Sequence, residues 1–205
     1  MPAPVKLLLA SSNPGKLREY CLLAAGHPAE LELIPNFNSL PSFEECAPTF
    51  AENAAGKALH YSRYAELPVI ADDSGLVVPA LGGAPGVLSA RYAGPGESDA
   101  DRVQKLLQEM RGKNGQERRA RFVCVITLAQ LGRAIAVFSD SAEGVLTEKP
   151  RGSDGFGYDP IFFFEKLGRT YAETTREEKN LYSHRGRAFR KLLAFVTASP
   201  GEEPL

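Results

Sequence analysis

Strand and helix signals alternate along the first half of this chain, and a hairpin pattern interrupts them in the middle; neither an all-helical nor an all-β fold accommodates both. The apolar run VKLLLAS reads as a strand, Asn13-Pro14-Gly15 breaks it, and LREYCLLAA follows at helical spacing. Thr49, with Glu52 three residues on, predicts a capped helix over FAENAAGKALHYSRYA. PVIADDSG is a buried-strand pattern that ends in two carboxylates and a turn. Ser98 with Asp101 starts a helix expected to run to Met110. ARFVCVITLAQL and RAIAVFSDSAEGVL are rich in β formers, and Gly132 between them predicts a hairpin. After a glycine-rich loop, DPIFFF reads as a further strand, and the stretch from Thr175, with Glu178 as its box partner, reads as helix. The expected class is α/β with a mixed sheet, in a single domain over residues 1–205.

Composition removes several function classes. With 24 Lys and Arg against 25 Asp and Glu, the chain has no overall pull on nucleic acid polymers or anionic membranes. Phosphate recognition must therefore be local, built from a few placed cations and backbone amides. Cys21, Cys46 and Cys124 are odd in number, far apart and without a CxxC pair, which argues against a disulfide scaffold or zinc site. The apolar run after Lys6 is four residues long, whereas a signal peptide needs roughly 7–15 and a membrane span about 20. A cytoplasmic location without membrane or nucleic acid partners is expected.

Four polar motifs fall after strands or at helix starts, where α/β folds place their sites. Ser11-Ser12-Asn13-Pro14-Gly15-Lys16 lies between strand and helix, so helix-start amides and the Lys16 ammonium can receive phosphate. The loop lacks the GxxxxGK[ST] spacing and also reads as a plain turn with a solvated lysine. Asp72 and Asp73 are neighbours on an extended strand, so they point to opposite faces. One is expected to reach into a cleft while the other orients the loop or bonds backbone amides. Asp-Ser-Gly is also good turn chemistry, but two carboxylates behind PVIA are costly without a cation, which favours a metal site. Glu44 and Glu45 sit in a polar loop and Lys57 on the helix after it; on their own they read as surface.

Gly152-Ser153-Asp154-Gly155-Phe156-Gly157-Tyr158-Asp159-Pro160 lets backbone approach a flat ligand and leaves an aromatic face for stacking, though Phe156 could equally serve a core. Lys179 precedes Ser183-His184-Arg185, where Ser183 is a natural N-cap and His184 has no nucleophile beside it. Together these pieces suit a Mg²⁺-bound nucleotide.

LLLASSNPGKLRE, TFAENAAGKA, IADDSGLVVPALGGAPGVLSARYAG, GFGYDPIFF and TREEKNLYSHRGRA run from residue 7 to residue 188. In that order and spacing they resemble the inosine/xanthosine triphosphate pyrophosphatase family, bacterial house-cleaning enzymes of non-standard purine nucleotides. The resemblance implies an elongated, two-lobed α/β fold with a long mixed sheet and an active-site cleft between the lobes. It further implies a homodimer, Mg²⁺ as cofactor, and hydrolysis of ITP, dITP and XTP to monophosphate and pyrophosphate.

Position by position, Ser11 to Lys16 would bind the phosphates, chiefly through Asn13 and Lys16, with Lys57 a further phosphate contact. Asp73 would be proton acceptor and metal ligand, Glu44 the second metal carboxylate, and Ser74 a substrate contact. Phe156, Gly157, Tyr158 and Asp159 would hold base and sugar, while Lys179, His184 and Arg185 would read the oxygen edge of the purine. Ser11-Ser12 stands where relatives often have Thr-Gly, a minor departure. A pyrimidine-specific pyrophosphatase and a nucleotide-binding module without turnover are the alternatives; SHRGRA and FGYD speak against the first, and Glu44, Asp73 and Lys16 against the second.

Overall fold

A computed structural model of the chain describes residues 4–198. In chain order it contains β1 (Val5–Leu9), α1 (Pro14–Ala24), β2 (Ala29–Leu33), α2 (Phe50–Tyr61), β3 (Val69–Val77) and α3 (Asp99–Glu109). These are followed by β4 (Arg119–Gln130), β5 (Arg133–Leu146), β6 (Phe162–Phe164), β7 (Arg169–Thr170), α4 (Arg176–Tyr182) and α5 (His184–Thr197). The strands form one open mixed sheet in the order β2-β1-β3-β4-β5-β6-β7. β1 pairs in parallel with β2 and β3, while β6 runs antiparallel to β5 and β7. The expected α/β class with a mixed sheet is what the chain adopts.

The chain divides into two compact units, the first comprising Met1–Asp73, Cys124–Asp140 and Arg185–Leu205, the second Ser74–Val123 and Ser141–His184. The first unit has apolar layers on both sides of its strands. Leu7, Leu9, Ile70, Cys124 and Ile126 pack with Tyr20 of α1 and with Phe189 and Leu192 of α5. The alternate positions Leu8, Ala10, Val69 and Ala71 pack with Ala58 and Tyr61 of α2. Two-sided burial explains why β1 and the start of β3 read as continuous apolar runs. The second unit has its own core, in which Leu76, Val103, Leu106, Phe122, Phe162 and Tyr171 meet.

Local chemistry sets most boundaries. Asn13 caps α1, and its side chain accepts from the amides of Gly15 and Lys16. Thr49 caps α2 by accepting from the Glu52 amide, and its hydroxyl donates to the Glu52 carboxylate at 2.6 Å. Ser98 with Asp101 and Thr175 with Glu178 form reciprocal capping boxes at α3 and α4. The β4–β5 hairpin turns at Leu131 and Gly132, both with positive φ, as a two-residue loop of this twist requires.

Two expectations need correction, and one strand gave no clear signal. β2 lies at the end of the strand order and alternates the exposed Glu30 and Glu32 with Ala29, Leu31 and Leu33, of which only Ala29 is buried. DPIFFF is a strand only from Phe162; Asp159–Ile161 form a 3₁₀ turn. The turn expected after Asp73 is absent, and β3 continues through Ser74 and Gly75 to Val77. Gly75 is there for close approach: a Cβ on it would lie 2.5 Å from the Gly86 carbonyl and press on the Ser89 hydroxyl. Gly75→Ala is therefore expected to destabilise the protein by roughly 1–3 kcal/mol, as overpacking of a dense interior does. Thermal unfolding checks this, and an unchanged midpoint would refute it.

Candidate active site

In the first unit, strand alternation separates the two aspartates. Ile70 faces the layer of α1 and α5, so Asp72 does too; Val69 and Ala71 face α2, so Asp73 does too. Asp72 is completely buried. Its Oδ2 lies 3.0 Å from the Lys16 ammonium and 3.6 Å from the Arg185 guanidinium, and Arg185 also pairs with Glu19. Burial alone would raise the Asp72 pKa, but Lys16, Arg185 and Lys57 overcome it and hold the carboxyl down at about 2. One aspartate is expected to orient the loop or bond backbone amides; Asp72 has the cations Lys16 and Arg185 as its partners.

Asp73 is 5% exposed, and its Oδ2 accepts from the Asn53 side-chain amide at 3.0 Å. Burial raises its pKa above the ordinary carboxylate value; Lys16 and Asn53 oppose the rise and the charge of Glu45 adds to it. Asn53, itself fully buried, also bonds the amide and the carbonyl of Ala47 at 2.9 and 3.3 Å. It thereby ties the acidic loop to α2 and to Asp73. In that loop Glu45 pairs with Lys57, while Glu44 is exposed. The charge of Glu45 acts on Asp73, and Glu44, its neighbour in the same loop, faces outward. Lys57 is buried; that lowers its pKa, but Asp72, Glu45 and Asp73 outweigh burial and raise it.

The first loop is shaped by the cap of α1. Two of the amides proposed for phosphate, those of Gly15 and Lys16, donate to Asn13 at 2.9 and 3.1 Å. Ser11 accepts from the Asn13 amide at 3.2 Å, and Ser12 and Pro14 are exposed. Charge at this loop therefore comes mainly from Lys16 and the start of α1.

In the second unit, the glycine-rich loop and α4 build a separate cluster. Asp159 Oδ2 accepts from the Phe156 amide at 2.9 Å and lies 2.5 Å from the Lys179 ammonium. Lys179 also sits over the Phe156 ring, 4.8 Å from its centroid. Gly155 has φ +77°, and a Cβ there would collide with the Asp159 carboxylate, so no other residue fits. Phe156 is half-buried, whereas Tyr158 is buried with its hydroxyl donating to the Ser89 carbonyl at 3.0 Å. Of the two expected aromatics, Phe156 is the one with an accessible ring. Ser74 is half-buried. His184 stacks on Phe122 with centroids 4.8 Å apart and planes 8° from parallel.

Arg185, expected at the oxygen edge of the purine, lies in the interior. It is 2% exposed and its guanidinium is engaged by Glu19 and Asp72 within the first unit. Lys179 and His184, by contrast, belong to the second unit with the Phe156 loop.

Comparison with known proteins supplies the family. The profile of the Ham1 family matches residues 7–195. The chain belongs to the Ham1 family. It is 48% identical to the dITP/XTP pyrophosphatase of Geobacillus kaustophilus over 187 residues, 91% of this chain and 92% of that protein. It is 46% identical to a dITP/XTP pyrophosphatase of Thermus thermophilus over 200 residues, 97% of this chain and 96% of that one. Among solved structures, the HAM1 protein from Coxiella burnetii superposes with a TM-score of 0.84 at 41% identity, covering 95% of this chain and all of that one. The Staphylococcus aureus Ham1 protein gives 0.82 at 38% identity, with 93% and 97% covered.

Whether the residues suit magnesium is a question of donor chemistry. Asp73 and the loop glutamates Glu44 and Glu45 are hard oxygen donors of the kind Mg²⁺ takes. Among the described residues no group of three or more His, Cys, Asp or Glu is placed to hold a metal. Mg²⁺ is commonly bound by one or two carboxylates together with substrate phosphates.

Proposed function

We propose that this chain is a magnesium-dependent pyrophosphatase that cleaves ITP, dITP and XTP to the monophosphate and pyrophosphate, keeping these nucleotides out of DNA and RNA. The observation that carries the reading is Asp73: a nearly buried carboxylate of raised pKa, held by Asn53, with Lys16, Lys57 and Glu45 acting on it. The names of the 46–48% identical relatives support it.

Asp73, with Glu44 as the second carboxylate that the family resemblance implies, would hold Mg²⁺, which when bound neutralises phosphate charge and lowers the pKa of water. Lys16 and Lys57 supply the remaining positive charge for the triphosphate. Asp73 accepts the proton of the attacking water. Attack at the α-phosphorus expels pyrophosphate. In the second unit Phe156 offers a ring to the base, and Lys179, pinned by Asp159, donates toward O6. Adenine presents an amino donor at that position, so ATP would leave donors facing donors; such mismatch supports rejection by about 10⁴ or more.

A homodimer in the cytoplasm completes the proposal. It rests on the family resemblance; among the described residues no helix is long and apolar enough to cross a membrane.

Two results test the reading. Chelation with EDTA is expected to abolish ITP turnover and added Mg²⁺ to restore it; turnover indifferent to chelation contradicts the metal assignment. In H₂¹⁸O the label is expected in IMP; label in pyrophosphate would place the attack on the wrong phosphorus.

A further inference from the structure

The block LGGAPGVLSARYAG carries much of the family resemblance, and in the second unit it lies beneath the loop that holds Phe156. Ser89 accepts from the Leu76 amide at 2.9 Å and donates to the Gly86 carbonyl at 2.6 Å, and its own carbonyl receives the Tyr158 hydroxyl at 3.0 Å. Arg102, in the first turns of α3, donates to the carbonyls of Ala90 and Glu97 at 2.9 and 2.6 Å. Its other terminal nitrogen pairs with Asp99 Oδ1. The second oxygen of Asp99 accepts the amide of Gly157 at 2.6 Å.

We propose that Asp99 is a positioning residue for the base: by fixing the Gly157 amide it holds loop 155–159 so that Phe156 presents its ring in one pose. The proposal rests on the reading of Phe156 as the platform for the base.

Gly157 has φ +62° and no side chain, so nothing of its own restrains the peptide next to Phe156. A carboxylate accepting a backbone N–H makes a charge-assisted bond, about twice as strong as a neutral one. Arg102 orients that carboxylate and is itself tied to the Ala90 and Glu97 backbone. An acidic residue in the first turn of α3 also complements the helix dipole, yet that task does not need Gly157. Asp101 already performs it in the capping box with Ser98.

The test compares Asp99→Ala, Asp99→Asn, Asp99→Ser, Asp101→Asn and Phe156→Ala, reading KM and kcat for ITP and the inhibition constant of inorganic tripolyphosphate. Asp99→Ala is expected to raise KM roughly tenfold with kcat changed less than about threefold, the size of effect a lost charged hydrogen bond carries. Tripolyphosphate inhibition should not change, because that ligand has no base. Asp99→Asn should recover most of the loss, since its amide oxygen still accepts from Gly157. Asp99→Ser, too short to reach Gly157 but tolerated at a helix start, should reproduce the alanine result and replaces it should the alanine variant fold poorly. Asp101→Asn should leave both constants alone.

An unchanged KM in both Asp99→Ala and Asp99→Ser overturns the proposal. So does equal weakening of tripolyphosphate, or the same KM rise in Asp101→Asn. If Phe156→Ala leaves KM unchanged, the platform reading falls and the proposal with it; if Phe156→Ala raises KM and the Asp99 variants do not, the proposal alone falls.

Discussion

Asp73→Asn is expected to lower kcat for ITP by roughly 10²–10⁴-fold, the range carried by a positioned general base, while leaving thermal unfolding close to wild type. The asymmetry follows from the site. Asparagine keeps the shape of aspartate and an oxygen that can accept from Asn53, whose bond to Asp73 is 3.0 Å long. It removes a charge that burial already disfavours, so the fold loses little. On the proposed mechanism the reaction would lose its proton acceptor and one of two metal carboxylates. Turnover within about threefold of wild type would show that another group takes the proton.

Asp72→Asn, one residue earlier, is expected to act the other way round, costing roughly 3–5 kcal/mol of stability, as removal of one partner from a buried ion pair does. Asp72 is wholly buried and answers both Lys16 and Arg185. Asparagine leaves those cations short of a counter-charge in the interior, although Arg185 retains Glu19. For a chain of this size the midpoint should fall by roughly 2–4 °C per kcal/mol, or about 10 °C in all. The same carboxylate gives a pH signature. Its folded pKa lies below the ordinary 3.8, at about 2, so its stabilisation is fully present above pH 4 and lost as pH falls through about 2. A variant melting with the wild type would contradict the buried network.

The contrast between these two neighbours was legible in the sequence. Alternation along an apolar strand separates Asp72 from Asp73 before any coordinates are known. Helix starts at Thr49, Ser98 and Thr175 were equally legible, because capping chemistry is local. What stayed hidden depends on distant partners. Glu19 and Arg185 meet across 166 residues, and nothing near either of them announces the pair. Asn53 reads as an ordinary polar helix residue, yet it joins Asp73 to Ala47; its one local clue is its place four residues before Lys57 on the same helical face. Glu44 and Glu45 fall in a loop without periodicity, so nothing in the sequence announces that Glu45 is the one that pairs with Lys57. Gly75 misled for a related reason: its missing side chain serves contact with Gly86 and Ser89 rather than a turn.

An acidic, cation-flanked site of the proposed kind would hydrolyse a triphosphate only when the base carries an oxygen at position six. kcat/KM for pyrophosphate release from ITP and from ATP, side by side with saturating Mg²⁺, tests this. Release from ITP is expected to be rapid and preferred over ATP by about 10⁴ or more, the margin that unpaired buried donors can enforce. Equal rates on the two nucleotides, or ITP recovered intact, would contradict it.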